Sequence, residues 1–104
     1  AICWFEKGIT DSWAHDLAVM DCLGFVEGIC CPHYDEEPAR RPFVEKALKG
    51  DLIDHCFSVE GNCALHVKND KAFRAINFGE NKNSYNAALV DGKVLEEAFE
   101  RIDL

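Results

Sequence analysis

The run Phe25–Cys31 is short, mostly apolar, and stops at Pro32. Its composition suits a strand buried on both faces, as central strands of mixed sheets are. Pro32 ends it, because proline lacks a backbone donor and pushes Cys31 toward extended geometry. A strand buried on both faces needs neighbours, so the rest of the chain has to build a sheet around it. A helix follows first, beginning between Pro38 and Pro42. Phe43, Val44, Ala47 and Leu48 line one of its faces at helical spacing. Arg40, Arg41, Glu45 and Lys49 are expected on the wet side, with Gly50 just past the end.

The remaining segments read mainly as strands. Ala1–Phe5 is apolar and ends at Lys7-Gly8, Ile9–Asp16 reads as a loop, and Leu17–Met20 is a short strand. Cys56–Val59 is a strand closed by the turn Glu60-Gly61-Asn62. Cys63, Leu65 and Val67 alternate with Ala64, His66 and Lys68, the period of a strand with two unlike faces. Asn69-Asp70 turns into Lys71–Phe78, and Ser84–Val90 alternates again before the hairpin signal Asp91-Gly92. Val94–Leu104 fits two readings. Leu95, Ala98, Phe99 and Ile102 suit a terminal helix, while Val94 and Leu95 suit the end of the hairpin. One strand–helix–strand unit followed by hairpins predicts an α/β sheet with an antiparallel extension.

At 104 residues the chain is one domain or part of one. A net charge of −8 argues against nucleic acid, whose phosphates need clustered Lys and Arg. It argues equally against anionic lipid. No apolar run approaches the roughly 20 residues of a membrane span, and the opening residues do not read as a signal peptide. Most of the six cysteines lie inside apolar runs, where free Cys behaves as a small hydrophobe. The expectation is therefore a reduced, cytoplasmic protein. Cys30, Cys31 and His33 are close in sequence, but adjacent strand residues point to opposite faces. The paired spacing of a zinc site is missing, so no metal and no cofactor is expected.

Three residues are candidates for chemistry. His33 sits in a loop after a strand, where α/β sheets place ligands, and imidazole titrates near neutral pH. It is either a general base or a surface histidine. Glu60 also ends a strand, followed by Gly61, which permits a sharp turn. It either orients an imidazole, as a triad acid does, or faces water. Asp11, in Thr10-Asp11-Ser12, either joins a site or makes an Asx turn. A nucleophile is not evident: Ser12, Ser58, Ser84 and Thr10 lie outside any G-x-S-x-G elbow.

Cys31-Pro32-His33-Tyr34-Asp35, Arg40-Arg41 and Val59-Glu60-Gly61-Asn62-Cys63-Ala64-Leu65 together closely resemble the peptidase E/cyanophycinase family of serine peptidases. Ala1-Ile2-Cys3-Trp4-Phe5 followed by Thr10-Asp11-Ser12 extends the match. The resemblance implies a doubly wound, flavodoxin-like α/β sheet related to class I glutamine amidotransferases. It covers nearly the whole chain but only the C-terminal half of a family member. Residues 1–104 are thus expected to be a single partial domain. Ala1 looks like the last residue of the family's G-x-S-A-G-A elbow, with the serine just before it. By motif, His33 resembles the triad histidine, Glu60 the triad glutamate, and Asp11 an acidic position near the active site.

Two functions compete on this basis. The chain is the C-terminal part of a peptidase that hydrolyses acidic, aspartyl-type peptides, inactive alone and completed by a serine-bearing half. Alternatively it is an inactive relic or oligomeric interaction protein that keeps the fold. Half a wound sheet exposes an edge and an apolar face, so a homodimer or a complex with the missing half is expected. Ala1–Phe5 or the strand around Ile29 is the expected interface.

Overall fold

A computed structural model describes residues 2–10 and 17–104. Its nine strands are β1 (Phe5–Thr10), β2 (Ala18–Asp21), β3 (Val26–Cys31), β4 (His55–Val59), β5 (Cys63–Lys68), β6 (Lys71–Asn77), β7 (Ser84–Val90), β8 (Lys93–Ala98) and β9 (Arg101–Asp103). The helix α1 (Arg40–Lys49) connects β3 to β4. The larger sheet runs β2-β1-β3-β4-β7-β8, and the smaller runs β5-β6-β9. The fold is therefore mixed α/β, with a predominantly sheet core.

β3 is central, as its composition requires. It pairs in parallel with β1 on one side and β4 on the other. The strand around Ile29 thus has a backbone neighbour on both sides and is not a sheet edge; β2 and β8 are. Helix α1 lies over one face. Val44, Ala47 and Leu48 pack there with Ile9, Ile29, Cys31, Ile53, Cys56 and Ala87. Burying a side chain such as Leu48 contributes about 1.5–3 kcal/mol, so this apolar cluster is what holds the helix to the sheet.

The opposite face carries Phe5, Cys30 and Phe57. Phe57 meets the rings of Phe5 at 6.1 Å and of Phe99 at 5.9 Å. Phe5, Cys30, Pro32, Val59, Cys63, Ala64 and Leu65 line a cavity of about 300 Å³ there. Helix α1 packs on the other face, and β5 borders this cavity through Cys63, Ala64 and Leu65.

Of the two readings open for Val94–Leu104, the hairpin holds, and the segment contains strands β8 and β9. Asp91 (φ 51°) and Gly92 (φ 79°) form a two-residue turn that locks β8 against β7 from Val90↔Lys93 to Tyr85↔Ala98. Gly50 stands just past the helix (φ −84°); Asp51 after it is left-handed (φ 61°), and its N–H bonds to Leu48 O. Two expectations are corrected. First, β1 runs through Lys7-Gly8 to Thr10, because Ile9 is fully buried in the core and paired with Val19. Second, Arg40 is buried, not wet. Its Nη1 donates to the Ile9 carbonyl at 2.6 Å and its Nε to Glu37 at 2.6 Å. The start of α1 is thereby pinned to β1 by a charge-assisted bond.

All six cysteines are free. Burial pushes the Cys30 thiol up to about 12 and the Cys31 thiol to about 11, and raises that of Cys56 as well. Only a thiolate alkylates. Brief iodoacetamide treatment of the native protein at pH 8, read by peptide mass, should modify the exposed Cys3 and spare Cys30, Cys31 and Cys56. Modification of the latter three at the same rate as Cys3 would contradict the packing described.

Candidate active site

The parallel register of β3 and β4 pairs Cys30 with Phe57 and Cys31 with Ser58. His33 and Glu60 each lie two residues beyond the second of these pairs. Both therefore emerge at the carboxyl edge of adjacent parallel strands, the side on which α/β sheets place their ligands. The Tyr34 N–H bonds to the Val59 carbonyl at 3.0 Å and carries the register one step past the strands.

Side chains then tie the two loops together. Asp35 Oδ1 accepts the Gly61 N–H at 2.8 Å, and Asp35 Oδ2 pairs with the Lys82 ammonium. Glu60 Oε1 accepts the Asn83 N–H at 2.8 Å, while the Glu60 N–H bonds back to the Asn83 carbonyl at 3.2 Å. The His33 loop, the Glu60 turn and the segment before β7 thus form one bonded rim.

Inside the rim, Tyr34, Asp35, Glu37, Pro38, Arg41 and Glu60 line a cavity of about 260 Å³. Tyr34 is buried, and its hydroxyl donates to Glu96 of β8. Burial and the Glu96 carboxylate both raise its pKa, so it stays a neutral donor. The Arg41 guanidinium stacks over the Tyr34 ring at 4.7 Å and reaches Glu96 at 3.5 Å. Burial alone would lower its pKa, but Glu96, Tyr34 and Glu60 together outweigh this and raise it.

The structure brings His33 and Glu60 to the same edge without bonding them to each other. His33 Nδ1 contacts Glu36 Oε1 at 2.8 Å. Among the described residues no hydrogen bond joins His33 to Glu60. Asp11 lies outside the described residues. Sequence reasoning missed Asp35, Glu36, Arg41 and Lys82 as site residues. The spacing of Glu36, three residues after His33, was a signal for it; the reach of Lys82 to Asp35 across 47 residues left none. Among the described residues no group of three or more His, Cys, Asp and Glu side chains is placed to hold a metal ion.

The family model "Peptidase family S51" matches residues 1–75. This chain belongs to that peptidase family. It is 34% identical over 96 residues to "Uncharacterized peptidase YgaJ" of Bacillus subtilis (strain 168). The matched region is 92% of this chain and 41% of that relative, so the chain spans less than half the relative's length. No solved structure matches. The S51 match includes His33 and the Glu60 turn.

Asp35 gives the rim a pH dependence. Burial works to raise its pKa, but the Lys82 pair and the Gly61 N–H outweigh it and lower the carboxyl below the usual range. A carboxyl depressed in the fold contributes stability above its unfolded pKa of about 4 and loses it as pH falls through the folded value. Melting temperature should therefore fall more steeply below about pH 4 in the wild-type chain than in Asp35→Asn. Parallel curves for the two proteins would remove Asp35 from the account.

Proposed function

We propose that this chain is the histidine- and glutamate-bearing C-terminal part of a peptidase E-like serine peptidase, hydrolysing acidic, aspartyl-type peptides once a serine-bearing segment completes it. The observation that carries this reading is the matched placement of His33 and Glu60 past the register pair Cys31↔Ser58. His33 is the general base that takes the serine proton and returns it to the leaving amine. Glu60 stands ready beside the cavity as the triad carboxylate. Membership in a peptidase family supports the reaction class.

The acidic preference is supported by charge. Arg41 forms part of the cavity wall, and Lys82 is held at the rim by Asp35. A substrate carboxylate entering the cavity would share Arg41 with Glu96, a bidentate partner suited to carboxylates. The face with Phe5, Cys30 and Phe57 is the proposed seat of the serine-bearing segment. Elements of that segment would cover it as helices cover the second face of a doubly wound, glutamine amidotransferase-like sheet.

Co-expression with a segment ending in a G-x-S-A-G elbow tests this directly. The 104-residue chain alone should not hydrolyse aspartyl dipeptides, and the completed protein should. In the completed protein His33→Ala should lower kcat by about 10⁴-fold or more, the loss typical of a triad base. A folded, stoichiometric pair without hydrolysis, or with hydrolysis untouched by His33→Ala, would overturn the proposal.

A further inference from the structure

We propose that the hairpin of β5 and β6 is a docking surface for an extended acidic peptide, gripped by Arg74 and Lys68 around Phe73. The chain has four arginines, and three of them are matched with carboxylates: Arg40 with Glu37, Arg41 with Glu96 and Arg101 with Asp103. Arg74 is different. Its Nε donates to His66 Nδ1 at 3.1 Å, and its guanidinium lies over the Phe73 ring, 5.1 Å from the centroid. The Lys68 ammonium reaches the same ring at 5.2 Å, and His66 meets it edge-on at 5.4 Å. Among the described residues no ion pair joins Lys68 or Arg74 to a carboxylate, and Arg74 Nη1 and Nη2 make no hydrogen bond. Residues 63–77 hold Lys68, Lys71 and Arg74 against Asp70 alone, a cationic stretch in a chain of net charge −8. The Arg74 fork is thus held in place with its terminal nitrogens unspent. A carboxylate is the group that such a fork takes in two parallel bonds.

Two backbone features favour a peptide over other polyanions. His66 pairs with Arg74 and Val67 with Ala72, so Phe73 is the extra residue of a β-bulge. A bulge re-aims its side chain, and Phe73 is left 46% exposed among the cations. With two cations already over it, the ring is a seat for charge, not the bare stacking platform that a nucleobase needs. β5 is also an edge of the smaller sheet, and among the described residues no strand lies on its other side. Its outward N–H and C=O groups are therefore open to a further strand. His66 and Lys68 stand two residues apart on β5, the same-face period of a strand. A strand laid beside β5 presents its own alternate side chains at that spacing, so carboxylates at i and i+2 would meet the two cations in turn. β5 begins three residues after Glu60, so a chain paired along it leads toward the rim. That last link rests on the peptidase reading above, whereas the binding itself does not.

Titrating the ¹⁵N-labelled 104-residue chain with an end-blocked peptide of alternating Asp and Thr, at low salt, tests this through ¹H–¹⁵N spectra. Amide shifts should gather on residues 64–68 and 72–74, and binding should weaken as salt is added. Lys68→Gln combined with Arg74→Gln should weaken binding about tenfold or more, the loss expected for hydrogen bonds to charged groups. The rest of the spectrum reports that this variant is folded. Lys46→Gln combined with Lys93→Gln removes the same charge elsewhere on the surface and should change affinity less than about twofold. The same peptide N-methylated at every residue keeps its carboxylates but cannot donate to a strand, and it should not bind. Shifts absent from the hairpin, binding untouched by the Lys68 and Arg74 substitutions, or undiminished binding of the methylated peptide would overturn the inference. So would equal binding of an oligothymidylate. Hydrolysis is not measured here, so this proposal and the peptidase reading fail separately.

Discussion

Parallel pairing of β3 with β4, Cys30 beside Phe57 and Cys31 beside Ser58, organises everything that follows these strands. Parallel strands need a crossover, and α1 is that crossover. Its apolar face covers one side of the sheet, and its first residue, Arg40, reaches back to the carbonyl of Ile9. With the two strands in register, Cys31 beside Ser58, the loops that follow must leave from the same edge. The nearness of His33 and Glu60 is therefore a consequence of backbone pairing. No direct contact between the two side chains is required.

What the pairing starts, side-chain-to-backbone bonds finish. Asp35 and Glu60 both spend carboxylate oxygens on backbone N–H groups of neighbouring loops. Such charge-assisted bonds are stronger than neutral ones, and they stiffen segments that carry no ladder of their own. Tyr34 adds a buried anchor, with its hydroxyl on Glu96 and its ring under Arg41. The long reach of these contacts joins the hairpin of β7 and β8 to the site. Acidic residues that merely set the net charge in the sequence here become structural acceptors.

Much of the fold was legible because its signals are local. Pro32 stopping an apolar run, the alternation of Cys63–Val67 and the Asp91-Gly92 turn each act within a few residues, and each element stands where the pattern places it. The misreadings share a cause. Arg40 looked exposed because its partner lies 31 residues away. Val94–Leu104 fits a helix or the end of a hairpin, and pairing with β7 selects the hairpin. Gly61 opens the turn that its presence suggests, and its bareness also admits Glu36, which no local signal shows. The positions of His33 and Glu60 came from motif and strand ends. The identity of each partner is a tertiary fact, which spacing does not carry.

The His33 loop and the Glu60 turn form one bonded rim rather than two independent loops. Amide hydrogen exchange measures this most directly. The N–H groups of Tyr34, Gly61 and Asn83 all lie beyond the strands, and each donates across the rim, to Val59, Asp35 and Glu60 respectively. All three should exchange slowly and at similar rates, opening as a unit. Exchange of Gly61 and Asn83 at the rate of an open loop, with Tyr34 alone protected, would contradict it.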